Sequence, residues 1–279
     1  MKLILVLLAG LIPFFSYFPA QASSANNTVV NSTVVRSSDV RNDESVIISF
    51  FSYPPLAHIA QSGRLSGIVI ETVREICLEA QLNCKFKMLP VARVYRSVSD
   101  HTAAAIITGR HPSFGDCCIT SDWQFPWSAG IYTLFPPEHM SINESELKGH
   151  RMIIIRGWES PYRYFKDLEK LSKSGAIKLA MAKDNHSAVR MLQHGRAEYL
   201  WGGAHFSWYF KKKGLKDAFY YTPLIQAPLA IWVDKNRPDL RQALDKGYQS
   251  LKDRGALSSD GSQLRAELMQ ARYEDSARY

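Results

Sequence analysis

The chain has 279 residues, 46% of them hydrophobic, with 34 Lys and Arg against 26 Asp and Glu for a formal net charge of +8. That apolar content is ordinary for a globular core, and the length suits two modest domains or one large one. The basic residues are scattered instead of forming long blocks, which argues against a nucleic-acid partner; the densest cluster, Lys211 to Lys213 ahead of Gly214, reads as the solvated C-terminus of a helix.

Lys2, the apolar run Leu3 to Phe18 and the small-residue triplet Ala20-Gln21-Ala22 have the charge, core and cleavage site of a secretory signal over residues 1–22. A retained membrane anchor is the alternative, although the run falls short of the roughly 20 apolar residues a spanning helix needs. No cysteine follows the cleavage site, so a lipid anchor there is not expected. The mature chain is read as an exported, soluble protein beginning near Ser23, with a flexible leader over 23–45 rich in Ser, Asn, Thr and Val.

Val46 to Phe51 reads as a strand ending in Ser52, Tyr53, Pro54 and Pro55. Past the turn glycines Gly63 and Gly67, the residues Val69, Val73, Ile76, Cys77 and Ala80 recur at helical spacing. Lys85 to Leu89 gives a second strand, Pro90 breaks it, and Ala92 to Val98 makes a short helix; Ala103 to Ile107 is a third strand with Thr108, Gly109 and Arg110 at its carboxyl end. Strand and helix alternating at this pace predict an α/β fold with a mainly parallel sheet. Three strand ends then converge on one edge carrying Tyr53, Arg93, Thr108 and Arg110, an aromatic platform with guanidinium groups able to grip a carboxylate in a bidentate fork. The competing reading pairs both arginines with surface carboxylates.

Arg110 to Trp127 is irregular, with Pro112, Gly115, Pro126 and three aromatic residues, and reads as a long loop over the same edge. A strand over Ile131 to Phe135 follows. In Leu147 to Tyr162, LKGHRMIIIRGWESPY, the run Met152 to Ile155 is a buried strand, Arg156 and Gly157 turn it, and Ser160 with Pro161 opens a helix. The turn from Arg156 through Trp158 and Glu159 to Ser160 would offer polar groups and free N–H donors at the carboxyl edge of a sheet, where open α/β sheets hold small ligands. Lys178 to Ala182, the helix Ser187 to His194, Tyr199 to Trp201 and the helix Ala204 to Lys213 complete a second set of strands and helices closing at Thr222 and Pro223. Leu229 to Val233 is a strand, Pro238 starts a helix that Gly255 ends, and an amphipathic helix is read past Ser262. Trp127, Trp158, Trp201 and His205 fall at strand ends or turns; as ligand contacts they favour a ring-like or apolar body, the alternative being core packing for the tryptophans and an ordinary helix-start role for His205.

Four cysteines in an exported chain suggest disulfides. Cys77 late in a helix and Cys84 at the next strand are expected to pair, while the state of the neighbours Cys117 and Cys118 stays open. No His or Cys pair stands at a ligand spacing, so neither a metal nor a cofactor is expected.

The landmarks FFSYPPL, Gly67 with the helix bearing Glu71, LPVAR (Leu89 to Arg93), LKGHRMIIIRG (Leu147 to Gly157), LQHGRAEYL (Leu192 to Leu200) and the closing segment Asp234 to Leu257 occur in an order that resembles the family 3 periplasmic solute-binding proteins, the receptors of polar amino acid ABC importers. The resemblance covers nearly all of Val46 to Leu257. It implies a two-lobe type II periplasmic-binding-protein-like fold hinged by two crossover segments, with lobe one over 46–129 plus 226–279, lobe two over 130–225 and the ligand between them. It also implies a small-molecule ligand, no cofactor, a periplasmic monomer and an ABC permease in the inner membrane as partner. Arg110 takes the position of the arginine that receives an α-amino acid's carboxylate. The lobe-two acid that would receive the ammonium falls on Gly202 or Gly203, so the chain departs from the pattern there, with Glu159 as a substitute, and a standard α-amino acid is not expected. Two other classes compete with the receptor. One is a dehydratase-like enzyme on the same scaffold, using Glu159 or His205; the other is a ligand-sensing partner of a signalling protein. A fused transglycosylase or kinase is disfavoured by a chain ending at Tyr279.

Overall fold

The structure, a computed structural model, describes residues 45–139, 143–212, 214–215 and 218–270. The export signal and nearly all of the leader lie outside the described residues, as does Lys213 of the lysine cluster.

β1 (Val46–Phe50) is an apolar run buried on both faces, as a central parallel strand must be. A two-stranded ribbon, β2 (His58–Ile59) with β3 (Leu65–Ser66), leads into α1 (Ile68–Glu79), which buries Val69, Val73, Ile76 and Cys77 on one side. β4 (Cys84–Met88), α2 (Val91–Arg96), β5 (Ala105–Gly109), α3 (Phe114–Cys117) and β6 (Cys118–Phe125) follow. The chain then enters a second unit with β7 (Ser128–Thr133), β8 (Arg151–Ile155), α4 (Ser160–Tyr164), α5 (Leu168–Lys173), β9 (Lys178–Ala182), α6 (Asn185–Gln193), β10 (Tyr199–Gly203), α7 (Ser207–Lys212) and β11 (Tyr220–Gln226). It returns through β12 (Leu229–Asp234) and α8 (Pro238–Asp253), whose Leu240, Leu244, Gly247 and Leu251 form one buried stripe.

Two five-stranded sheets result, ordered β4-β1-β5-β12-β6 and β11-β7-β10-β8-β9. Each has its own apolar core: Ile48, Phe50, Ile76, Trp123, Ile231 and Leu244 lie in the first, and Ile131, Ile153, Phe165, Leu192, Trp201 and Phe206 in the second. The chain crosses between sheets twice, at Pro126 and Trp127 and again at Ala227 and Pro228. Trp127 packs against both cores, and Ala227 N–H donates to its carbonyl at 2.9 Å, so the two crossings are tied side by side.

The mainly parallel sheet read from the sequence is half right. β4, β1 and β5 pair in parallel, as do β10, β8 and β9, while β12 runs antiparallel to β5 and β6, and β7 antiparallel to β10 and β11. The long loop expected over Arg110 to Trp127 is mostly α3 and the eight-residue edge strand β6. Trp123 holds that strand down, fully buried with its indole N–H donating to Ser262 O at 3.0 Å. β11 was read only as a closing turn at Thr222 and Pro223, because Pro223 breaks the pattern; an edge strand tolerates it. The expected Cys77–Cys84 disulfide is present, and Cys117 is bonded to Cys118.

Candidate functional site

Between the two sheets lies a cleft of about 500 Å³ lined by residues of both. Its first-sheet wall carries Phe51 and Tyr53 just past β1, Tyr95 of α2, and Thr108, Gly109 and Arg110 at the end of β5. Its second-sheet wall carries Trp158, Glu159, Ser160, Arg163 and Tyr164 around the start of α4, with Ala129, His205 and Gln226 at the end of β11, and the crossings contribute Trp127 and Ala227.

Seven of the ten residues singled out from the sequence are brought together here: Tyr53, Thr108, Arg110, Trp127, Trp158, Glu159 and Ser160. Arg93 is not. α2 buries Val94, and Tyr95, two residues past Arg93, faces the cleft, leaving Arg93 exposed outside its lining. Arg156 also stays outside: Gly157 adopts φ +84 and turns the chain, so that Trp158 to Ser160 enter the cleft while Arg156 remains in solvent. Trp201 is fully buried behind the wall, where its indole N–H donates to Ser160 Oγ at 2.9 Å and fixes that hydroxyl. Sequence reasoning missed Phe51, Tyr95 and Arg163. Arg163 lies three residues past Ser160 and so one helical turn along the same face, a spacing that could have revealed it.

The deepest polar group is Tyr53. It is 1% exposed, burial pushes its phenol well above the ordinary range, and its hydroxyl has no hydrogen-bond partner among the described residues. His205 sits beside it, ring centroids 6.0 Å apart. Burial pushes the His205 pKa down to about 3, which keeps the imidazole neutral at physiological pH. Trp127 Nε1–H donates to His205 Nδ1 at 3.1 Å, so the proton resides on Nε2, which faces the side-chain amide of Asn185 at 3.4 Å. A Cβ built at Gly203 would lie 2.5 Å from His205 Nδ1 and 2.6 Å from Trp127 Cζ2. Even the first carbon of an acidic side chain therefore has no room at that position.

Arg110 and Arg163 stand at the mouth, one from each unit, and neither has a carboxylate partner among the described residues. Arg163 Nη1 donates across the cleft to Arg110 O at 3.1 Å. Glu159, the one acid in the lining, accepts from His111 Nε2 at 2.6 Å, a second contact between the two units. Ser113 N–H donates to His111 Nδ1, consistent with the proton on Nε2, and Tyr95 stacks on the imidazole at 4.5 Å. The cleft thus offers an aromatic interior, one orphaned phenol and two unpaired guanidinium groups. Among the described residues no cluster of His, Cys, Asp or Glu could hold a metal ion, and no helix is long and apolar enough to cross a membrane.

No family model and no curated protein matches the chain. Solved structures do. An ancestral arginine-binding protein bound to arginine superposes with a TM-score of 0.62 at 17% identity, over 76% of this chain and 93% of that one. A putative L-cystine ABC transporter from Listeria monocytogenes gives 0.61 at 19% identity, over 76% and 92%. A histidine kinase sensor domain with similarity to periplasmic binding proteins gives 0.64 at 14% identity, over 82% and 95%. The chain has the two-lobe type II periplasmic-binding-protein fold. In this fold the two sheets are the lobes, the two crossings are the hinge, and the aromatic cavity is the interlobe cleft.

Proposed function

We propose that the chain is an exported solute receptor of the family 3 type, with lobe one over 46–129 plus 226–279 and lobe two over 130–225. It captures a small carboxylated ligand with an apolar or ring-like body and delivers it to an ABC permease in the inner membrane. The reading places the working protein in the periplasm as a monomer without a cofactor, the export resting on the signal read over residues 1–22.

The observation that carries the reading is the pairing of unmet donors with an apolar cleft. Among the described residues Tyr53 Oη is buried without an acceptor, and Arg110 and Arg163 have no carboxylate partner. A buried donor without an acceptor is rare in native proteins, so the Tyr53 hydroxyl marks where a ligand oxygen belongs, while the two exposed arginines supply positive charge at the mouth. The cleft offers an ammonium group little in return. Glu159 is engaged by His111, and Gly203 cannot be replaced by an acid. Burying an ammonium without a counter-charge costs several kcal/mol, which supports a carboxylate over a zwitterionic amino acid. Arginine and cystine, which the solved neighbours' names carry, are therefore not carried over to this chain.

Binding without turnover is supported by His205, whose basic nitrogen Nδ1 is occupied by the Trp127 indole N–H and so is not free to take a proton from a ligand. A second reading, a ligand-sensing partner of a membrane signalling protein, is favoured by the sensor-domain neighbour.

Thermal-shift screening of aromatic acids, opines, amino acids and small peptides tests the reading. A ligand at 100 times its Kd should add roughly 2.7 kcal/mol of stability. Calorimetry of the best hit should then lose at least about tenfold in affinity in Arg110→Ala, as expected for one charge-assisted hydrogen bond. Unchanged affinity removes Arg110 from the site, and conversion of the hit, read by mass spectrometry, replaces the receptor with an enzyme.

A further inference from the structure

The charged and the uncharged parts of the cleft lie at different depths. Among the described residues its charged side chains are Arg110, Glu159 and Arg163, the arginines exposed and Glu159 half exposed, so all three belong to the mouth. Tyr53, Trp158 and His205, which line the same space, are all buried. No cation stands among them, since burial keeps the His205 imidazole neutral.

The polar atoms of the interior are accounted for, with one exception. His205 Nδ1 accepts from the Trp127 indole, the Tyr95 hydroxyl is hydrogen-bonded to Thr108, and Ser160 Oγ accepts from the Trp201 indole. Of the described lining residues only Tyr53 has a buried side-chain polar atom without a partner. Burial keeps that phenol protonated, so it presents a donor. A second carboxylate against it would be buried without a counter-charge, which is strongly unfavourable. An amine there would leave the Tyr53 proton unmet, and a hydroxyl would leave its own proton unmet. An oxygen that only accepts satisfies the site completely.

We infer that the ligand is a two-ended acid: its carboxylate meets Arg110 and Arg163 at the mouth, and the remote end of its apolar body carries an uncharged oxygen acceptor, an ether or a carbonyl, against the Tyr53 hydroxyl. The inference rests on the reading of the cleft as a carboxylate receptor and names the ligand class for it. Tyr53 then selects among acids that the arginines alone would hold equally well. The charge gives affinity at the mouth, and the buried donor gives specificity at depth.

The test is calorimetry with three pairs of probes: benzoate, phenylacetate and 3-phenylpropanoate, each carrying either a 4-methoxy or a 4-ethyl group. The two substituents are nearly the same size and only the methoxy oxygen accepts a hydrogen bond, while the three acids set the carboxylate at increasing distances from the ring. In at least one pair the methoxy acid is expected to bind about two- to tenfold tighter, the worth of one neutral hydrogen bond. Tyr53→Phe keeps the ring, removes the donor and should make the members of that pair bind alike. Arg110→Ala acts at the other end, so it should weaken both members together by at least about tenfold and leave their ratio unchanged. Equal affinities within every pair, a preference that persists in Tyr53→Phe, or one that disappears in Arg110→Ala overturns the two-ended ligand and leaves the carboxylate reading standing. Binding by none of the six probes overturns both.

Discussion

A phenol held at 1% exposure with no acceptor, as at Tyr53, forgoes about 1–3 kcal/mol that one hydrogen bond would return. Tyr53→Phe should therefore leave the free protein as stable as before or slightly more so, and weaken the ligand by about two- to tenfold, the worth of one neutral hydrogen bond. Matched unfolding curves and binding isotherms check both halves. His205 makes a second prediction. Its folded pKa is about 3 against about 6.5 when unfolded, so below pH 6.5 the unfolded chain takes up a proton that the folded chain refuses. Its contribution is intact above pH 6.5 and is lost as the pH falls toward 3, with a limiting slope of about 1.4 kcal/mol per pH unit. Subtracting the stability profile of His205→Gln from that of the wild type should isolate this slope, and superimposable profiles would mean that His205 titrates normally. At this scale the sequence was partly legible. Residues next to strand ends, such as Tyr53, Thr108 and Arg110, could be placed by counting from the strand. On short helices the count fails, because one residue is a 100° rotation: Tyr95 faces the cleft where Arg93 was expected.

Cys77 sits in the last turn of α1 and Cys84 opens β4, so their bond fixes the connection between helix and strand across seven positions of sequence. Closing a loop of that length removes about 2–3 kcal/mol of conformational freedom from the unfolded chain. Cys77→Ser combined with Cys84→Ser should lower the unfolding free energy by that amount. Removing the bond between the neighbours Cys117 and Cys118, which closes almost no loop, should cost roughly half as much on the same loop-entropy argument. Denaturant midpoints of the two double variants decide the order, and equal losses would mean that loop entropy is not the controlling term. Legibility at this scale followed the neighbours of each element. α1 and α8 carried their apolar stripes at helical spacing, and β8 announced itself as the run MIII. β6 and β11 are edge strands, with one side unpaired, so they contain Pro223, Asp122 and Gln124, residues that a central strand rarely tolerates and that read as loop. Missing β11 also hid Leu224, Ile225 and Gln226 from the site.

Among the described residues the mouth of the cleft is bridged by two polar contacts, His111 to Glu159 at 2.6 Å and Arg163 to Arg110 O at 3.1 Å, with an apolar approach of Val91 toward Gly157, while deeper in Trp127 Nε1–H donates to His205 Nδ1 at 3.1 Å. Glu159 is half exposed, so its pair with His111 is worth only about 0.2–1 kcal/mol and shifts an open-to-closed ratio by no more than about fivefold. Hydrogen bonds of this strength can bias a hinge without locking it, which suits the proposed receptor, whose cleft would admit a ligand and then close on it. Combining Glu159→Ala with Arg163→Ala removes both contacts at the mouth while leaving the two cores untouched. Small-angle scattering of the unliganded variant should therefore report a larger radius of gyration than the wild type, with an unfolding midpoint that barely moves. The difference between the two proteins should also narrow as salt rises toward 1 M, because in the wild type the His111–Glu159 contact is exposed to screening while the backbone acceptor at Arg110 is less affected. An unchanged radius in the double variant would assign closure to the packing of Trp127, Val91 and the paired crossings instead, and would locate control of the cleft in the hinge and not at its mouth.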